Sequence, residues 1–332
     1  MSSKPLGVLW IIATLLFILA AFLFATKKEW WFTLAFIAVI VSQFLIIGSW
    51  QNTKFGTIAN AIILLVSITA YAHFRFETLA HAEVNEIFEK YIPENPPKSP
   101  QKHFEDLPPI VQKWLKNSGS DQKPRTTSIR LKQKGEMRTK PDGPWMPFTA
   151  QQYFNSVDPS FIWITKVDVM PLIYMDGRDK LNNGKGSMLI KLLALFKVVE
   201  EEDNEKINSG SLQRYLAEMC WFPSAAMEGY CSWEAVGANS AKATVKLAEM
   251  TVSGIFSFSA DGEFISFETQ RFFGGSVDAQ RETWFIEAEE YKLFEGIKIP
   301  NKCSVTWKLE SGDFNWLNLE IINLEYNRDQ LW

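Results

Sequence analysis

The stretch "IFSFSADGEFISFETQRF", Ile255–Phe272, sets two runs of alternating apolar and polar residues on either side of Asp261 and Gly262. Alternation at period two marks strands with one buried face, and an Asp-Gly pair between two such runs is a strong local hairpin signal. The same pattern extends in both directions. "SIRLKQKGEMR" (128–138), "FTAQQYFN" (148–155), "FIWITKVDVM" (161–170) and "KATVKLAEM" (242–250) read as strands, and "KPDGPW" and "ESGDFN" supply further turn signals. Helices are expected at "SMLIKLLALFKVV" (187–199) and "SLQRYLAEMC" (211–220). With hairpins dominating and helices few, the fold class is α+β: a curved antiparallel sheet with a few helices on one face.

Toward the N-terminus the composition changes. Between Met1 and Phe76 the charged side chains are Lys4, Lys27, Lys28, Glu29, Lys54 and Arg75, a net of +4, so the remaining chain carries −8 of the overall −4. An acidic soluble part argues against nucleic acid as a partner, because that affinity rests on Lys and Arg displacing counterions. Three apolar runs fill the charge-poor region: Leu6 to Thr26, Trp30 to Trp50 and Phe55 to Phe74. Each approaches the roughly 20 helical residues needed to cross a bilayer core. The first is too long for the core of a cleaved signal peptide, and two more follow it after short polar turns. The bilayer is therefore an expected partner. Orientation is less marked, since Lys4 and Lys54 stand against Lys27, Lys28 and Arg75, which slightly favours a cytosolic soluble domain.

The expected organisation is a three-helix anchor over 1–76, an amphipathic stalk and Pro-rich linker over 77–104, and a β-rich soluble domain over 105–332. In the stalk, Leu79, Val84, Ile87, Phe88 and Tyr91 fall near helical spacing. "PENPPKSPQ" then stops the helix, because four prolines cannot sustain one. "LPPIVQKWLKNSG" follows as a short helix, with Val111, Trp114 and Leu115 on one face and Gly119 as its stop.

Chemistry narrows by elimination. The histidines, His73, His81 and His103, lie outside the strand-rich region, so neither a metal site nor a His-activated nucleophile is expected there. "GRDKLNNGKGS" (177–187) fails as a phosphate loop, because six residues separate Gly177 from Gly184 and Gly186 stands where Ser or Thr should follow the lysine. Its glycines are better read as a bend. Cys220, Cys231 and Cys303 fit buried single thiols. The acidic run Glu200–Glu205 reads as a solvated loop. Carboxylates remain as catalysts, with Asp176 and Asp179 close in sequence.

"RYLAEMCWFPSAAM" (214–227) places Arg214 and Glu218 one helical turn apart, with Leu212, Tyr215, Leu216 and Met219 at apolar spacing and Pro223 ending the helix. On an exposed face such a pair contributes about 0.3–0.5 kcal/mol. Here apolar residues surround it, so the expectation is a buried pair, with Arg214 reaching onto the sheet and Glu218 as its partner or sharing a partner with it.

Taken in order, "LPPIVQKWLKNSG", "GEMRTKPDGPWMPFTAQQYF", "GRDKLNNGKGSM", "RYLAEMCWFPSAAM", "FSFSADGEFISFETQR" and the closing strands through "LEYN" resemble a family of bacterial membrane-anchored proteins of unknown function. The resemblance covers about Leu107 to Tyr326. It carries no activity, so no catalytic residue is inherited. It implies that Gly184, Gly186, Met188 and Pro223 stand at motif positions, together with a candidate cluster of Asp179, Arg214, Tyr215, Glu218, Trp221 and Arg271. Lys180 and Leu181 depart from the pattern, in which an aromatic commonly follows the Asp. Three apolar runs also replace the single one of many members. An odd number preserves their parity, which implies a multi-pass protein of the bacterial cytoplasmic membrane with an extracytoplasmic domain. More loosely, the outline is similar to the cupped sheets of lipoprotein carriers such as LolA, which hold acyl chains. The expected function is a membrane-tethered module holding a lipid or other apolar ligand, without cofactor or metal. The rivals are an enzyme using Asp179 and Glu218, oriented by Arg214 and Arg271, and an accessory protein of a membrane complex with no ligand.

Overall fold

A computed structural model of the chain describes residues 4–89 and 101–332. Four helices open it: α1 (Lys4–Ala25), α2 (Trp31–Gly48), the single turn α3 (Trp50–Thr53) and α4 (Gly56–Glu89). By length and composition α1, α2 and α4 are long and apolar enough to cross a membrane. Contacts divide the chain into two compact units. One holds these helices up to Thr78 together with Leu193–Phe196, and the other holds Leu79–Leu192 with Lys197–Trp332. The expected proline linker, and Tyr91 with it, lies outside the described residues.

The second unit is built on thirteen strands and two further helices. After α5 (Pro109–Ser118) come β1 (Ser128–Met137), β2 (Met146–Asn155), β3 (Ser160–Met170), β4 (Ile173–Asn182), β5 (Lys185–Leu192) and β6 (Phe196–Glu202). Helix α6 (Glu205–Glu218) leads into β7 (Cys231–Gly237), β8 (Ser240–Leu247), β9 (Met250–Phe258), β10 (Phe264–Phe272), β11 (Arg281–Phe294), β12 (Ile297–Leu309) and β13 (Gly312–Tyr326). All belong to one curved, open sheet in the order β6-β5-β4-β3-β2-β1-β13-β12-β11-β10-β9-β8-β7. The first and last strands pair in the middle, and β6 and β7 are the two edges. A twisted sheet of this many strands tends to curl. The curl lets α6, which links the two edges, touch β4 and β5 on one flank and β8, β9 and β10 on the other.

The hairpin that opens the sequence reading forms as expected, with Phe264 opposite Phe258, Phe267 opposite Phe256, and Gly262 at φ 85°. Helix α5 buries Ile110, Val111, Trp114 and Leu115 and stops at left-handed Gly119. Trp114 joins Trp233, Phe256 and Phe258 at ring-centroid distances of 5.5–6.0 Å. The three cysteines are free and buried.

One expected helix is instead a hairpin. Residues 187–199 fall in β5, a turn and β6, with Met188 opposite Asp179 and Leu192 opposite Met175. Leu193 and Ala194 turn the chain at positive φ (52° and 59°). An apolar run bounded by turn signals fits a buried strand as well as a helix, and pairing with β4 decides the matter. The acidic run likewise begins in a strand, since Glu200–Glu202 end β6. Charges on an edge strand discourage pairing with another chain.

Side chains of odd and even register point to opposite faces of a strand. Phe154 and Phe161 therefore enter the main core under α6, whereas Tyr153 and Ile162 lie on the convex face. There they meet Val84, Ile87 and Phe88 from the last part of α4. Glu83 accepts from Lys180 Nζ (2.6 Å) and pairs with Arg178 (3.1 Å), Glu86 accepts from Asn182, and Asn155 donates to the Ile87 carbonyl (2.9 Å). The expected stalk face is thus a sheet-binding face. It places a helix on the convex side in addition to those on the concave side.

Candidate functional site

Helix α6 carries the site, and both of its flanks are fixed by backbone-specific contacts. Asn204 caps it, accepting from the N–H groups of Lys206 and Ile207. On the β5 side the Gly186 N–H donates to Asn208 Oδ1 (2.7 Å), and a Cβ at Gly186 would stand 2.5 Å from the Ile207 carbonyl oxygen. Only glycine allows that approach. On the β10 side Gln213 donates to Thr269 Oγ1 (3.0 Å) and to the Gln270 carbonyl (2.8 Å). Leu212, Tyr215 and Leu216 point into the core.

Arg214 lies on the β4 flank between two carboxylates. Its Nε donates to Glu218 Oε1 at 2.8 Å and its Nη1 to Asp179 Oδ2 at 2.7 Å, while the guanidinium stacks over the Trp163 ring at 4.7 Å. Glu218 Oε2 accepts from Gln152 (2.8 Å), Gln152 Oε1 accepts from Gln133 (3.3 Å), and Gln133 Oε1 accepts from the Trp163 indole (2.8 Å). A continuous polar chain thereby crosses β4, α6, β2, β1 and β3. Burial would lower the pKa of Arg214, but Glu218 and Asp179 outweigh it and hold the guanidinium above its ordinary value. Burial raises the Glu218 carboxyl; Arg214 and Gln152 oppose the shift, and Asp179 adds to it.

Arg271, near the end of β10, sits on the other flank. Its guanidinium covers the Trp284 ring at 4.5 Å, and a Cβ on Gly210 of α6 would come within 3.2 Å of its Nε. Among the described residues it donates no hydrogen bond and forms no ion pair within 4 Å. Burial pushes its pKa down to about 10, with nearby Arg214 adding to the fall and Asp179 and Glu218 opposing it.

Of the six candidates, then, the structure brings Asp179, Arg214 and Glu218 into contact and sets Arg271 near them, against Gly210 one turn before Arg214 on the β10 side of the helix. Tyr215 and Trp221 are elsewhere. The Tyr215 phenol bonds Tyr230 (2.9 Å) and is held well above its ordinary pKa by burial. Trp221 packs on Phe154 at 6.5 Å and its carbonyl accepts from Tyr326 (2.7 Å). Both are core. Asp176 is buried on the strand face opposite Asp179. The reading from residue pattern misses Gln133, Gln152, Trp163 and Trp284. Nothing in a strand's polar–apolar pattern distinguishes a glutamine beneath a helix from one in water. The Asn183-Gly184 turn, both residues at positive φ (53° and 74°), carries a signal that was available: Asn-Gly between two strand-like runs.

Among the described residues no group of three or more His, Cys, Asp or Glu side chains could hold a metal ion. A surface cleft of about 530 Å³ lies away from the arginines, between the end of α5 and the β11–β12 turn, lined by Ser118, Gly119, Tyr291, Lys292 and Lys298.

Comparison with curated proteins finds no match. Among solved structures, the chain is similar to a LolA superfamily protein from Nitrosomonas europaea, at 10% identity over 66% of this chain and 94% of that one, with a TM-score of 0.38. It is also similar to a DUF1329 family protein from Desulfovibrio piger, at 8% identity over 67% and 95%, with a TM-score of 0.36. The strands and helices that build the site all fall within residues 105–326, which match the family described as "Family of unknown function (DUF6920)", and the chain belongs to that family.

Proposed function

We propose that the protein is a membrane-tethered binding module whose concave sheet face holds a lipid or other apolar ligand, with the soluble unit outside the cytoplasm. The observation that carries this reading is a set of apolar side chains facing the same way as the buried core and packed against it, yet only partly buried. Met137, Val169, Met175, Leu309 and Leu319 share the register of buried Phe148, Val167, Val305 and Leu317. They lie on β4, at one gripped flank, and on β1, β3, β12 and β13, between the flanks that α6 grips. Apolar surface on a concave face, adjoining a few convergent polar groups, is what an apolar ligand requires. The three apolar helices support the tether. The enzyme reading has one observation in its favour, the raised Glu218 carboxyl. Both Glu218 oxygens and one of Asp179 are nevertheless engaged by Arg214 and Gln152, which suits an orienting role better than proton transfer.

Native mass spectrometry of the full chain, released from non-ionic detergent, tests the proposal. Lipid-mass adducts are expected on the wild type and should be lost in Met137→Glu or Met175→Glu with the thermal melt retained. Adducts that survive both substitutions, or a wild type that never carries one, would overturn it.

A further inference from the structure

Arg271 differs from every other arginine around α6 in having nothing to donate to. A buried or half-buried guanidinium ordinarily meets carboxylates or carbonyls, because it presents five N–H donors and cannot shed its charge. Arg214 meets two carboxylates, and Arg178 meets Glu83 and both oxygens of Ser187. Arg271 packs against Trp284 and Gly210 yet is only half-buried rather than sealed. Beneath it lies a second unused donor. The Trp284 indole N–H is buried without a partner, on a side chain only 4% exposed. A charged donor group and a buried indole N–H within one stacked pair, neither with an acceptor, are costly. A carboxylate or phosphate would satisfy the guanidinium.

The surroundings restrict the alternatives. Asp179 and Glu218 are the nearest acidic influences on Arg271; Arg214 takes one oxygen of each, Asp179 Oδ1 keeps no hydrogen bond, and neither carboxylate forms an ion pair with Arg271 within 4 Å. Glu282 is opposite Arg271 in the β10–β11 register and forms no ion pair with it within 4 Å. Gly210 leaves room for the guanidinium against α6, where a Cβ would crowd it. Strand register also connects the Arg271–Trp284 pair to the apolar lining, because Trp284 pairs with Trp307 and Trp307 with Phe314, across β11, β12 and β13 toward Leu309 and Leu317.

We infer that Arg271, stacked on the Trp284 ring, forms a headgroup site for an anionic carboxylate or phosphate, and that the ligand of the concave face is therefore an anionic amphiphile. This rests on the binding reading above for the apolar part of the ligand, but not for the anion site itself. The depressed pKa of Arg271 agrees with it, since an anion in place would restore the charge that burial disfavours.

The test uses the full chain in non-ionic detergent and tritiated oleate, with oleyl alcohol and inorganic phosphate as competitors, on wild type, Arg271→Gln and Arg271→Lys. Oleate should bind the wild type at least about tenfold more tightly than oleyl alcohol does, the scale of one charge-assisted hydrogen bond. Arg271→Gln should erase that preference while leaving the alcohol unchanged, and Arg271→Lys should keep part of it. Phosphate should compete with oleate on the wild type. The Arg271→Gln melt should not fall, which separates loss of a site from loss of fold. A preference for oleate that survives Arg271→Gln overturns the inference and leaves the apolar-carrier reading standing. Phosphate raising the melting temperature of the wild type but not of Arg271→Gln, with neither oleyl compound bound, supports the anion site and sinks the carrier. No response to any of the three probes sinks both.

Discussion

Two arginines flank helix α6 in closely similar poses and opposite circumstances. Each guanidinium covers an indole, Arg214 over Trp163 at 4.7 Å and Arg271 over Trp284 at 4.5 Å. On the β4 flank the charge is answered by Asp179 and Glu218 and tied through Gln152 and Gln133 into the sheet. On the β10 flank it has no hydrogen-bond acceptor and no ion pair within 4 Å among the described residues, and only the more distant charges of Asp179 and Glu218 favour it. Stacking alone is worth about 0.5–2 kcal/mol and does not replace hydrogen bonds lost from water. Both flanks fasten the helix, through Asn208 on one side and Gln213 on the other, but only the β4 flank pairs its arginine.

The sharpest way to break this contrast is to remove each charge in turn. Arg214→Met strands two buried carboxylates and should cost about 3–5 kcal/mol in chemical unfolding. Arg271→Met removes a cation with no partner and should leave stability unchanged or raise it. Equal losses at the two positions would mean that Arg271 has a structural acceptor after all.

A smaller effect is expected from Glu218→Gln. The amide can still accept from Gln152, and Arg214 keeps Asp179, so the loss should be about 1–3 kcal/mol. Combined with Arg214→Met the losses should fall short of additive, with a coupling of about 0.5–3 kcal/mol, because both substitutions dismantle one network. Additive effects in a double-mutant cycle would reduce the pair to independent contacts.

That network shows what a sequence can and cannot carry. The spacing of Arg214 and Glu218 is local, one helical turn, and can be read without a structure. Their joining to Asp179 spans the end of β4, all of β5 and β6 and most of α6; residue chemistry alone names Asp176 equally, and only the family motif prefers Asp179 beforehand. Gln151 and Gln152 are adjacent and chemically identical, yet strand parity sends only the second beneath α6, where it donates to Glu218. Burial of that kind depends on which element covers the strand, and such tertiary placement overrides any local signal. The hairpin at Asp261-Gly262 was legible because its cause is entirely local. Ser187–Val199 was not, because its apolar residues satisfy helix and buried strand alike until β4 is beside them.

Acidity offers a third comparison between the flanks. Burial raises the Glu218 carboxyl above its usual 4.5 in the folded protein. The folded state then holds that proton more tightly than the unfolded chain does, so this group's stabilising contribution is present at low pH and is lost as pH rises from about 4.5 through the folded value. Glu228 is raised by burial as well and adds a slope of the same sign. The difference between wild type and Glu218→Gln isolates Glu218: urea midpoints measured from pH 4 to 8 should fall more steeply with pH in the wild type. Parallel profiles would indicate that Arg214 fully offsets the burial of Glu218, whereas Arg271→Gln should run parallel to wild type across this range.

The smallest effect should come from Gly210, the point where α6 meets the unanswered arginine. A methyl group there gains about 1 kcal/mol of helix propensity over glycine, since alanine loses less backbone freedom on folding. Against that gain, the new Cβ would lie 3.2 Å from Arg271 Nε and 3.4 Å from its Nη2, so the guanidinium must move by a few tenths of an ångström. The far end of a side chain with no hydrogen bonds to break can make that movement at little cost. Gly210→Ala is therefore expected to stay within about 1 kcal/mol of wild type in stability, while shifting the guanidinium relative to Trp284 and weakening any anion bound to it. Gly186→Ala is the control on the flank of the paired arginine. There the Cβ meets backbone, the Ile207 carbonyl at 2.5 Å, and overpacking of this kind costs about 1–3 kcal/mol. If Gly210→Ala proved as damaging as Gly186→Ala, Arg271 would have to be held as rigidly as a backbone atom, and the asymmetry between the two flanks of α6 would be lost.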